Sequence, residues 1–261
     1  MDKTLLLSRA ARTEDERYLL ARVLDRYEQF ERRGIPVYTG FLSPQERILS
    51  QSVLHAAGVR ENFTFWGGYE EAERCRLCFL PDWLEAPETS AIRVLRCRFY
   101  HENALTHRDL LGSLMALGVA RETLGDLLVS SRSADILATP AAADFLVQNW
   151  ESAGREALQV EEISPEELTV PPERSRVFKD TVSSLRLDSV TAAAFSLSRG
   201  KAAELIEGGK AQLNWQDCLK PDRGIAAGDT ITVRGLGKCH VEEVGGPTRK
   251  GRQMLTLKRY E

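Results

Sequence analysis

Apolar residues near the N-terminus recur at intervals of three and four, which is the spacing of one face of an α-helix. The stretch EDERYLLARVLDRYEQFERR carries this stripe on Leu19, Leu20, Val23, Leu24, Tyr27 and Phe30. Gly34 and Pro36 follow the stripe and predict where the helix ends. The pattern therefore predicts one long amphipathic helix with its apolar face on a core.

A second helix is predicted in SPQERILSQSVLHAAG, where Ser43 opens the apolar pattern and Gly58 closes it. The next stretch, ENFTFWGGYEEAER, is aromatic and has Gly67-Gly68 at its centre, which is typical of a turn-rich segment. We therefore predict that residues 1–60 are helical and that residues 1–75 form a helical N-terminal region.

Residues 76–163 alternate between the periods of strands and helices. Strands are predicted for AIRVLRCRF, DLLVS, ADILAT and ALQVEEI, and helices for HRDLLGSLMALG and PAAADFLVQNWESAG. The resulting order, β-α-β-β-α-β, is that of a ferredoxin-like unit, and RNA-recognition modules share it. The aromatic signature of those modules is missing from this segment. We predict a ferredoxin-like, RRM-like domain over residues 76–163, on which Phe99 and Tyr100 are either core residues or base-stacking residues.

The pattern changes again after residue 163. Residues 164–180 are predicted to be a linker, because SPEELTVPPERSR contains three prolines and five charged residues. Beyond it, SLRLDSVTAAAFSL and SRGKAAELIEGG predict two helices, and KAQLNW, DTITVR, KCHVEEV and MLTLKRY predict four strands. These elements predict a domain over residues 181–261 with two helices and a small antiparallel sheet, which makes the whole chain α+β.

Composition narrows the class of protein. The chain has 261 residues, of which 43% are hydrophobic and 28% charged, which is enough for a real core and for one to three domains. Five cysteines, an odd number, and an N-terminus without the pattern of a signal peptide predict a reduced, cytoplasmic protein. No stretch approaches 18 apolar residues, so no membrane span is expected.

Charge is distributed unevenly along the chain. The net charge is −3, but residues 181–261 carry 13 Lys+Arg against 9 Asp+Glu, a balance of +4. Residues 1–180 carry 22 against 29, a balance of −7. A basic C-terminal domain on an acidic body favours a localised anionic partner.

The second helix of the C-terminal domain has its charges at the unexpected end. Ser198 is a plausible N-cap, yet Arg199 and Lys201 occupy the first turn, where free N–H groups and the helix dipole are already positive. Free N–H groups together with two cations form a phosphate site. The alternative is that these are solvated charges on an ordinary small domain.

Strand alternation extends this candidate site. In KAQLNW it places Ala211, Leu213 and Trp215 on one face. The polar residues of the other face are Lys210, Gln212 and Asn214. If the helix packs against this strand, the polar face lies beside Arg199 and Lys201, and the Gln212 and Asn214 amides can contact sugars or base edges.

The C-terminal domain resembles the S4 RNA-binding domain. The resemblance rests on RLD at 186–188, SR-x-K-A at 198–202, LI-x-x-GK at 205–210, Asn214 and GD-x-I-x-V-R at 228–234. It implies an RNA-binding face that contains Arg186, Asp188, Ser198, Arg199, Lys201, Lys210 and Asn214. For Asp188 a structural role remains open, because an acid in a first helical turn also favours the helix dipole.

Further cations are candidates for RNA contacts outside this motif. GGPTRKGRQ places Arg249, Lys250 and Arg252 in a glycine-bounded loop between two strands, which suits backbone contacts to RNA but is equally typical of a solvated hairpin tip. The remaining candidates are Arg108, Arg234 and Lys238.

The rest of the chain is similar to one bacterial family. FWGGYEEAER at 65–74, HRDLLGSLMALGVARETLGDLLV at 107–129 and the C-terminal S4-like domain together resemble YlmH proteins. That resemblance implies binding to rRNA and tRNA on the large ribosomal subunit, in rescue or quality control of stalled translation. It implies no DNA or membrane partner.

Two motifs suggest other chemistry. Cys75 and Cys78 form C-x-x-C, and Cys97 with His101 follows at a spacing that suits zinc. However, Cys97 alternates with apolar residues in a predicted strand, where cysteine acts as a small buried hydrophobe. HRDLLGSL has Leu114 where the kinase catalytic loop requires Asn. We expect no metal, no cofactor and no catalytic residue.

Two other classes of function remain open. The acidic body could be a protein-interaction scaffold linked to cell division, with RNA binding secondary to it. An RNA-modifying enzyme resembling pseudouridine synthases needs a catalytic Asp motif, and the sequence offers none.

Overall fold

The structure, a computed structural model, describes residues 3–172 and 175–260. Within these ranges it contains seven α-helices and three antiparallel sheets, so the α+β class is confirmed. The chain divides into two compact units, Met1–Pro171 and Pro172–Glu261. No helix among the described residues is long and apolar enough to cross a membrane.

The first part of unit 1 packs three helices on a small sheet. The helices are α1 (Lys3–Ala10), α2 (Glu14–Arg33) and α3 (Pro44–Ala56). The strands are β1 (Val37–Leu42), β2 (Phe63–Trp66) and β3 (Cys75–Phe79), in the antiparallel order β1-β3-β2. Leu20, Leu24 and Leu54 are fully buried in their shared core, which also takes Leu77 and Phe79 from β3.

The two predicted helices of this region are confirmed, and their ends follow the predicted signals. Gly34 closes α2 at a φ of 62°, and Ser43 forms a capping box with Glu46 at the start of α3. The prediction that residues 1–60 are helical throughout is wrong, because β1 lies between α2 and α3. Its sequence, VYTGFL, is rich in the β-branched and aromatic residues that suit a pleated surface.

The second part of unit 1 has the predicted order of elements. It runs β4 (Arg93–Phe99), α4 (His107–Ala116), β5 (Leu124–Val129), β6 (Ser133–Ala138), α5 (Pro140–Asn149), a short β7 (Ser152–Ala153) and β8 (Glu156–Ile163). The antiparallel sheet has the order β5-β6-β4-β8-β7. Leu95, Cys97 and Phe99 of β4 are buried in one core with Leu110 of α4 and Leu146 of α5.

The opposite face of this sheet is covered over part of its area. Leu137 of β6 is fully buried in a cluster with Phe41 and Ile92. Beside it, Arg96 donates two hydrogen bonds of 2.7 Å to the buried carboxylate of Asp135, which also accepts the Thr169 N–H at 2.9 Å. RNA-recognition modules stack bases on the corresponding sheet surface. In this protein, side chains cover that surface around Leu137 and Asp135, whereas Arg98 at its other end is 49% exposed.

The segment FWGGYEEAER ties the two parts of unit 1 together. The Asp126 carboxylate of β5 accepts the Tyr69 O–H at 2.8 Å and the N–H groups of Glu73 and Arg74 at 2.8 and 3.0 Å. Burial, with Asp126 as the next cause, raises the pKa of Tyr69, so its phenol stays a donor. Gly68 has a φ of 99°, and a Cβ there would lie 2.2 Å from Leu137 Cδ2. Only glycine allows this close approach.

Unit 2 places two helices on a six-stranded antiparallel sheet. Its elements are β9 (Ser175–Val182), α6 (Leu187–Phe195), α7 (Arg199–Glu207), β10 (Ala211–Leu213), β11 (Gln216–Asp217), β12 (Thr230–Val233), β13 (Gly237–Pro247) and β14 (Gln253–Tyr260). The sheet order is β11-β10-β12-β13-β14-β9. The two predicted helices and four predicted strands are all present, and β9 and β11 are additional.

The predicted linker, residues 164–180, is largely structured. The Thr169 N–H donates to the Asp135 carboxylate of β6. β9 pairs with β14 in unbroken register from Ser175 to Val182. The strand SRVFKDTV was not predicted, because it lies at a sheet edge, where most of its residues are exposed or half-buried. Edge strands lack the clean alternation of apolar and polar positions that identifies a strand.

The C-x-x-C motif lies in β3, and its two cysteine side chains do not share one face of the sheet. Cys75 and Cys78 are three residues apart on a strand, so their side chains lie on opposite faces of the sheet. Cys97 is in the core of the middle sheet, and the His101 ring contacts Glu156 at 2.8 Å. Within residues 3–172 and 175–260, no group of three or more His, Cys, Asp or Glu is arranged to hold a metal ion.

Replacing Asp126 with alanine will destabilise unit 1. The substitution leaves the Tyr69 hydroxyl and two backbone N–H groups without their acceptor, which will lower the free energy of unfolding by about 2 kcal/mol. Urea unfolding measures this change, and Asp82→Ala, at an exposed position, is the control. Equal stability of the two variants would show that Asp126 does not join the two parts of the unit.

The cysteines will differ in their reaction with iodoacetamide at pH 8. Burial raises the pKa of Cys78 and of Cys97 to about 12 and that of Cys239 to about 11, so these thiols stay protonated and shielded. Cys218 is only half-buried. Peptide mass mapping of the native protein will therefore show Cys218 alkylated first, and the buried thiols alkylated only in a urea-unfolded control. Alkylation of Cys78 or Cys97 as fast as Cys218 would contradict the packing described here.

Candidate nucleic-acid interface

The predicted site lies where α6 and α7 meet in unit 2. Ser196 ends α6 in a left-handed conformation with φ 55°, and its N–H bonds to the Ala192 carbonyl. Ser198 then caps α7, because its hydroxyl oxygen accepts the Lys201 N–H at 3.2 Å. The two helices pack against each other, so the short connection 196–198 holds the start of α7 beside α6.

Asp188, in the first turn of α6, is the centre of the local charge arrangement. Its carboxylate accepts hydrogen bonds from Arg199 Nε at 2.9 Å, from Arg186 Nε and Nη2 at 3.3 Å each, and from the Ser189 N–H at 2.8 Å. Burial opposes ionisation of this carboxyl group, but the hydrogen bonds from Arg199 and Arg186 outweigh it and lower the pKa of Asp188. The acid is therefore charged at neutral pH.

This arrangement explains the basic residue at the start of α7. Arg199 lies at the positive end of a helix, and the Asp188 carboxylate from the neighbouring helix neutralises it. Asp188 itself is 4% exposed and cannot present its carboxylate to a ligand. Of the two roles left open for Asp188, this burial favours the structural one.

The two arginines stay accessible although they share a buried partner. The side chains of Arg186 and Arg199 are 42% and 49% exposed. Arginine has five N–H donors, and Arg199 gives one of them to Asp188. Two guanidinium groups against one carboxylate leave a net positive charge, and the carboxylate fixes where that charge lies.

Lys201 has an intramolecular partner as well. Its Nζ lies 2.9 Å from Glu204 Oε2, and both side chains are well exposed. Such an exposed pair contributes only about 0.3–0.5 kcal/mol, so a phosphate can displace the glutamate. Both cations at this helix end therefore have an intramolecular partner, a buried acid for Arg199 and a weak surface pair for Lys201.

Lys210 and Arg234 form a second group of cations beside this helix. The Arg234 N–H donates to the Lys210 carbonyl at 2.8 Å, so the two residues are neighbours at the ends of β10 and β12. Both are exposed, and neither forms a salt bridge with another described residue. α7 packs on β10, and Lys210 lies in the short connection between them.

The two predicted amide contacts face other protein groups. Asn214 Nδ2 donates to Asp229 Oδ1 at 2.7 Å, and Asn214 Oδ1 accepts the Thr230 N–H at 2.8 Å. Gln212 Nε2 donates to Asp217 Oδ1 at 3.0 Å across the β10–β11 hairpin. Asn214 was predicted to contact sugars or base edges. Both ends of its amide already form hydrogen bonds within the protein and fix a turn.

The turn itself was not predicted. Asn214 and Trp215 both have positive φ, 50° and 60°, and join β10 to β11 as a two-residue hairpin of type I′. The strand alternation therefore ends at Leu213, and Trp215 does not continue the face on which Leu213 lies. A bulky residue rarely adopts this conformation. Asn214 itself was the available signal, because asparagine tolerates the left-handed conformation that such turns require.

The remaining candidate cations occupy three different settings. Arg249 and Lys250 are exposed in the turn that joins β13 to β14, and Arg108 is exposed in the first turn of α4 in unit 1. Arg252 is anchored, because its Nε donates to Thr181 Oγ1 at 2.9 Å and its Nη2 donates to the Thr181 carbonyl. Lys238 Nζ lies 4.3 Å from the centre of the Tyr260 ring, a cation–π contact.

Two arginines on the sheet of unit 2 were not among the candidate cations predicted from the sequence. Arg176 of β9 and Arg259 of β14 are direct partners in the antiparallel register. Arg176 was missed because its strand was assigned to a linker. Arg259 had no signal of its own, being one of several charged residues near the end of MLTLKRY.

Comparison with protein families gives two matches. Residues 15–83 match the model described as "YlmH, N-terminal", and residues 94–167 match the model described as "Putative RNA-binding domain in YlmH". Both matches fall in unit 1, and neither extends into unit 2.

Individual relatives cover more of the chain. Ribosome-associated protein quality control protein P2 of Bacillus subtilis (strain 168) is 31% identical over 250 residues, which are 95% of this chain and 96% of that protein. Among solved structures, the cell division protein ylmH from Streptococcus pneumoniae is similar with a TM-score of 0.50 and 20% identity, over 61% of this chain and 98% of that one. The structural likeness concerns the fold alone.

The element order of unit 1, the two family matches within it and the identity along almost the whole chain agree. The chain belongs to the YlmH family.

Proposed function

We propose that this protein is a non-catalytic RNA-binding protein that holds structured RNA through unit 2. The observation that carries the proposal is the buried Asp188 carboxylate, which holds the half-exposed guanidinium groups of Arg186 and Arg199 beside the start of α7. A guanidinium group can donate two parallel hydrogen bonds to one phosphate group. The free N–H groups at a helix start also attract phosphate. The arrangement therefore fits the sugar-phosphate backbone of RNA.

We propose S4-like and ferredoxin-like architectures for the two domains that sequence analysis defined. For residues 181–261 the support is the packed pair α6 and α7 followed by the antiparallel strands β10, β12 and β13. For residues 76–163 the support is the sheet order β5-β6-β4-β8, which puts the first and third strands of the unit side by side in the centre. In this proposal unit 2 makes the principal RNA contacts, and the partly covered sheet of unit 1 makes none by base stacking.

The relatives suggest where this RNA is. The name of the Bacillus subtilis relative links that protein to ribosome-associated quality control, and a matching family model describes an RNA-binding domain. We propose that the RNA bound here is rRNA and tRNA on the large ribosomal subunit, in rescue or quality control of stalled translation. The work is binding, with no bond made or broken.

Within the proposed complex each cation has a distinct part. Arg186 and Arg199 bind phosphate in a fixed orientation, Lys201 exchanges Glu204 for phosphate, and Lys210 with Arg234 extends the positive surface along the edge of β10 and β12. Ser198 keeps its structural role as helix cap while its hydroxyl proton can be donated outward. Arg249 and Lys250 supply further backbone contacts from the β13–β14 turn.

Neutralising the start of α7 will weaken RNA binding in a salt-dependent way. For Arg199→Gln and Lys201→Gln, each lost phosphate contact will reduce the slope of log affinity against log salt by about 1, and the double variant will lose about 2. Fluorescence anisotropy with a labelled rRNA stem-loop between 50 and 200 mM salt measures the slopes. Lys201→Gln breaks only an exposed ion pair, so it separates lost binding from lost folding.

The control variant is Lys179→Gln, which removes one exposed positive charge from β9 in the same unit. Its slope is expected to match that of the unmodified protein. Unchanged slopes in both α7 variants would refute the proposal. Retained sedimentation with ribosomes after loss of RNA binding would instead favour the protein-interaction scaffold.

A further inference from the structure

A second positively charged surface lies on the helix-facing side of β9. Phe178 packs against the core of unit 2 and is paired with the buried Leu257 of β14. Residues two apart on a strand share a face, so Arg176 and Asp180 point to the same side of the sheet as Phe178. On β14 the same reasoning places Arg259 on the side of Leu257.

Arg176 and Arg259 therefore face each other directly across two strands. They are register partners, and like charges directly opposite each other destabilise a sheet. The Arg259 guanidinium lies 5.2 Å from the centre of the Phe195 ring, a contact that does not neutralise it. Neither arginine forms an ion pair with any residue that the structure describes. Two opposed cations without a carboxylate between them are a place where an anion would relieve repulsion.

These arginines line one of two adjoining cavities. A cavity of about 630 Å³ is bounded by Arg176, Phe178, Asp180, Leu236 and Arg259. A second cavity of about 470 Å³ is bounded by Thr181, Ser189, Leu197, Arg199 and Arg252. Both cavities also share Asp180, Ala193 and Ser196, so they lie side by side along β9. We call the combined space the β9 groove.

Charge and length of the β9 groove suit a single polynucleotide strand. Among the residues that the structure describes, four arginines, two near each end, line it against one carboxylate, Asp180. The strand from Arg176 to Val182 rises about 20 Å at about 3.3 Å per residue. Arg252 is fixed at the far end by its bonds to Thr181. A positive groove of this kind tracks the backbone of single-stranded nucleic acid.

We infer that the β9 groove binds a single-stranded segment of RNA that continues from the RNA held at the start of α7. The inference rests on the proposed function, because Arg199 borders both sites. Arg176 with Arg259, and Arg199 with Arg252, hold successive phosphates. Phe178 and Leu236 offer apolar surface to a base, and Asp180 accepts a hydrogen bond from a ribose 2′-hydroxyl, the group that distinguishes RNA from DNA. The groove between one edge strand and one helix admits one strand and excludes a duplex.

Charge removal within the groove tests this inference with the full-length protein. The variants are Arg176→Gln, Arg259→Gln and the double variant, and the probe is a labelled oligouridylate of about eight nucleotides. Anisotropy titrations are expected to show affinity lower by about tenfold for the double variant, with a salt slope reduced by about 1.4. The matched control is Lys179→Gln, which removes a charge from the same strand on its other face.

Stability provides a second measurement that does not depend on RNA. Arg176→Gln removes one member of a like-charge pair, so the free protein is expected to melt no lower than the unmodified protein. If it melts lower, Arg176 has a structural partner and the reasoning from opposed charges fails.

The outcomes separate this inference from the proposed function. If the unmodified protein binds neither the rRNA stem-loop nor the oligouridylate, the proposed function fails. If it binds both, and the groove variants bind the oligouridylate like Lys179→Gln, the β9 groove is not an RNA site. Equal affinity for poly-glutamate and oligouridylate would also overturn the inference, because it would show a site for any polyanion.

Discussion

The ionic contact between Asp188 and two arginines is the constraint on which the proposed RNA-binding face depends. A buried carboxylate in the first turn of α6 favours that helix end, and it compensates Arg199 at the positive end of α7. It also holds Arg186, so one acid positions cations from two places in the chain. Leaving this carboxylate without its partners would bury an unpaired charge, which is far costlier than any surface ion pair. The same contact thus stabilises the packing of the two helices and orients the groups that we propose to bind phosphate.

The construction of unit 1 supports the proposal that the principal RNA contacts lie in unit 2. The sheet face that RNA-recognition modules use is partly covered by the Leu137 cluster and by the Arg96–Asp135 pair. FWGGYEEAER, one of the stretches on which the family resemblance rests, acts here through Gly68 and through bonds to Asp126. Its residues therefore join two parts of a unit. In unit 2, by contrast, cations line an exposed helix start, the β9 groove and a hairpin turn.

The sequence predicted elements with strong local signals and missed those that depend on distant partners. The end of α2 followed from Gly34 and the start of α3 from Ser43, which are local signals. β9 was missed because its pairing with β14 lies some 75 residues away in the chain and its exposed edge blurs the pattern. The basic residues of the α7 start were identified by their unusual position. Their compensation by Asp188 was not, because no local rule links a residue in one helix to the first turn of the next.

Substitution of Asp188 by asparagine tests the central claim most directly. The substitution removes a negative charge, so a purely electrostatic attraction of RNA would become stronger. If the carboxylate acts by orienting Arg186 and Arg199, the variant will instead bind the rRNA stem-loop about tenfold more weakly, equivalent to about 1.4 kcal/mol. The measurement is an anisotropy titration at fixed salt, well below the melting temperature of the variant. Affinity equal to or tighter than that of the unmodified protein would contradict the account.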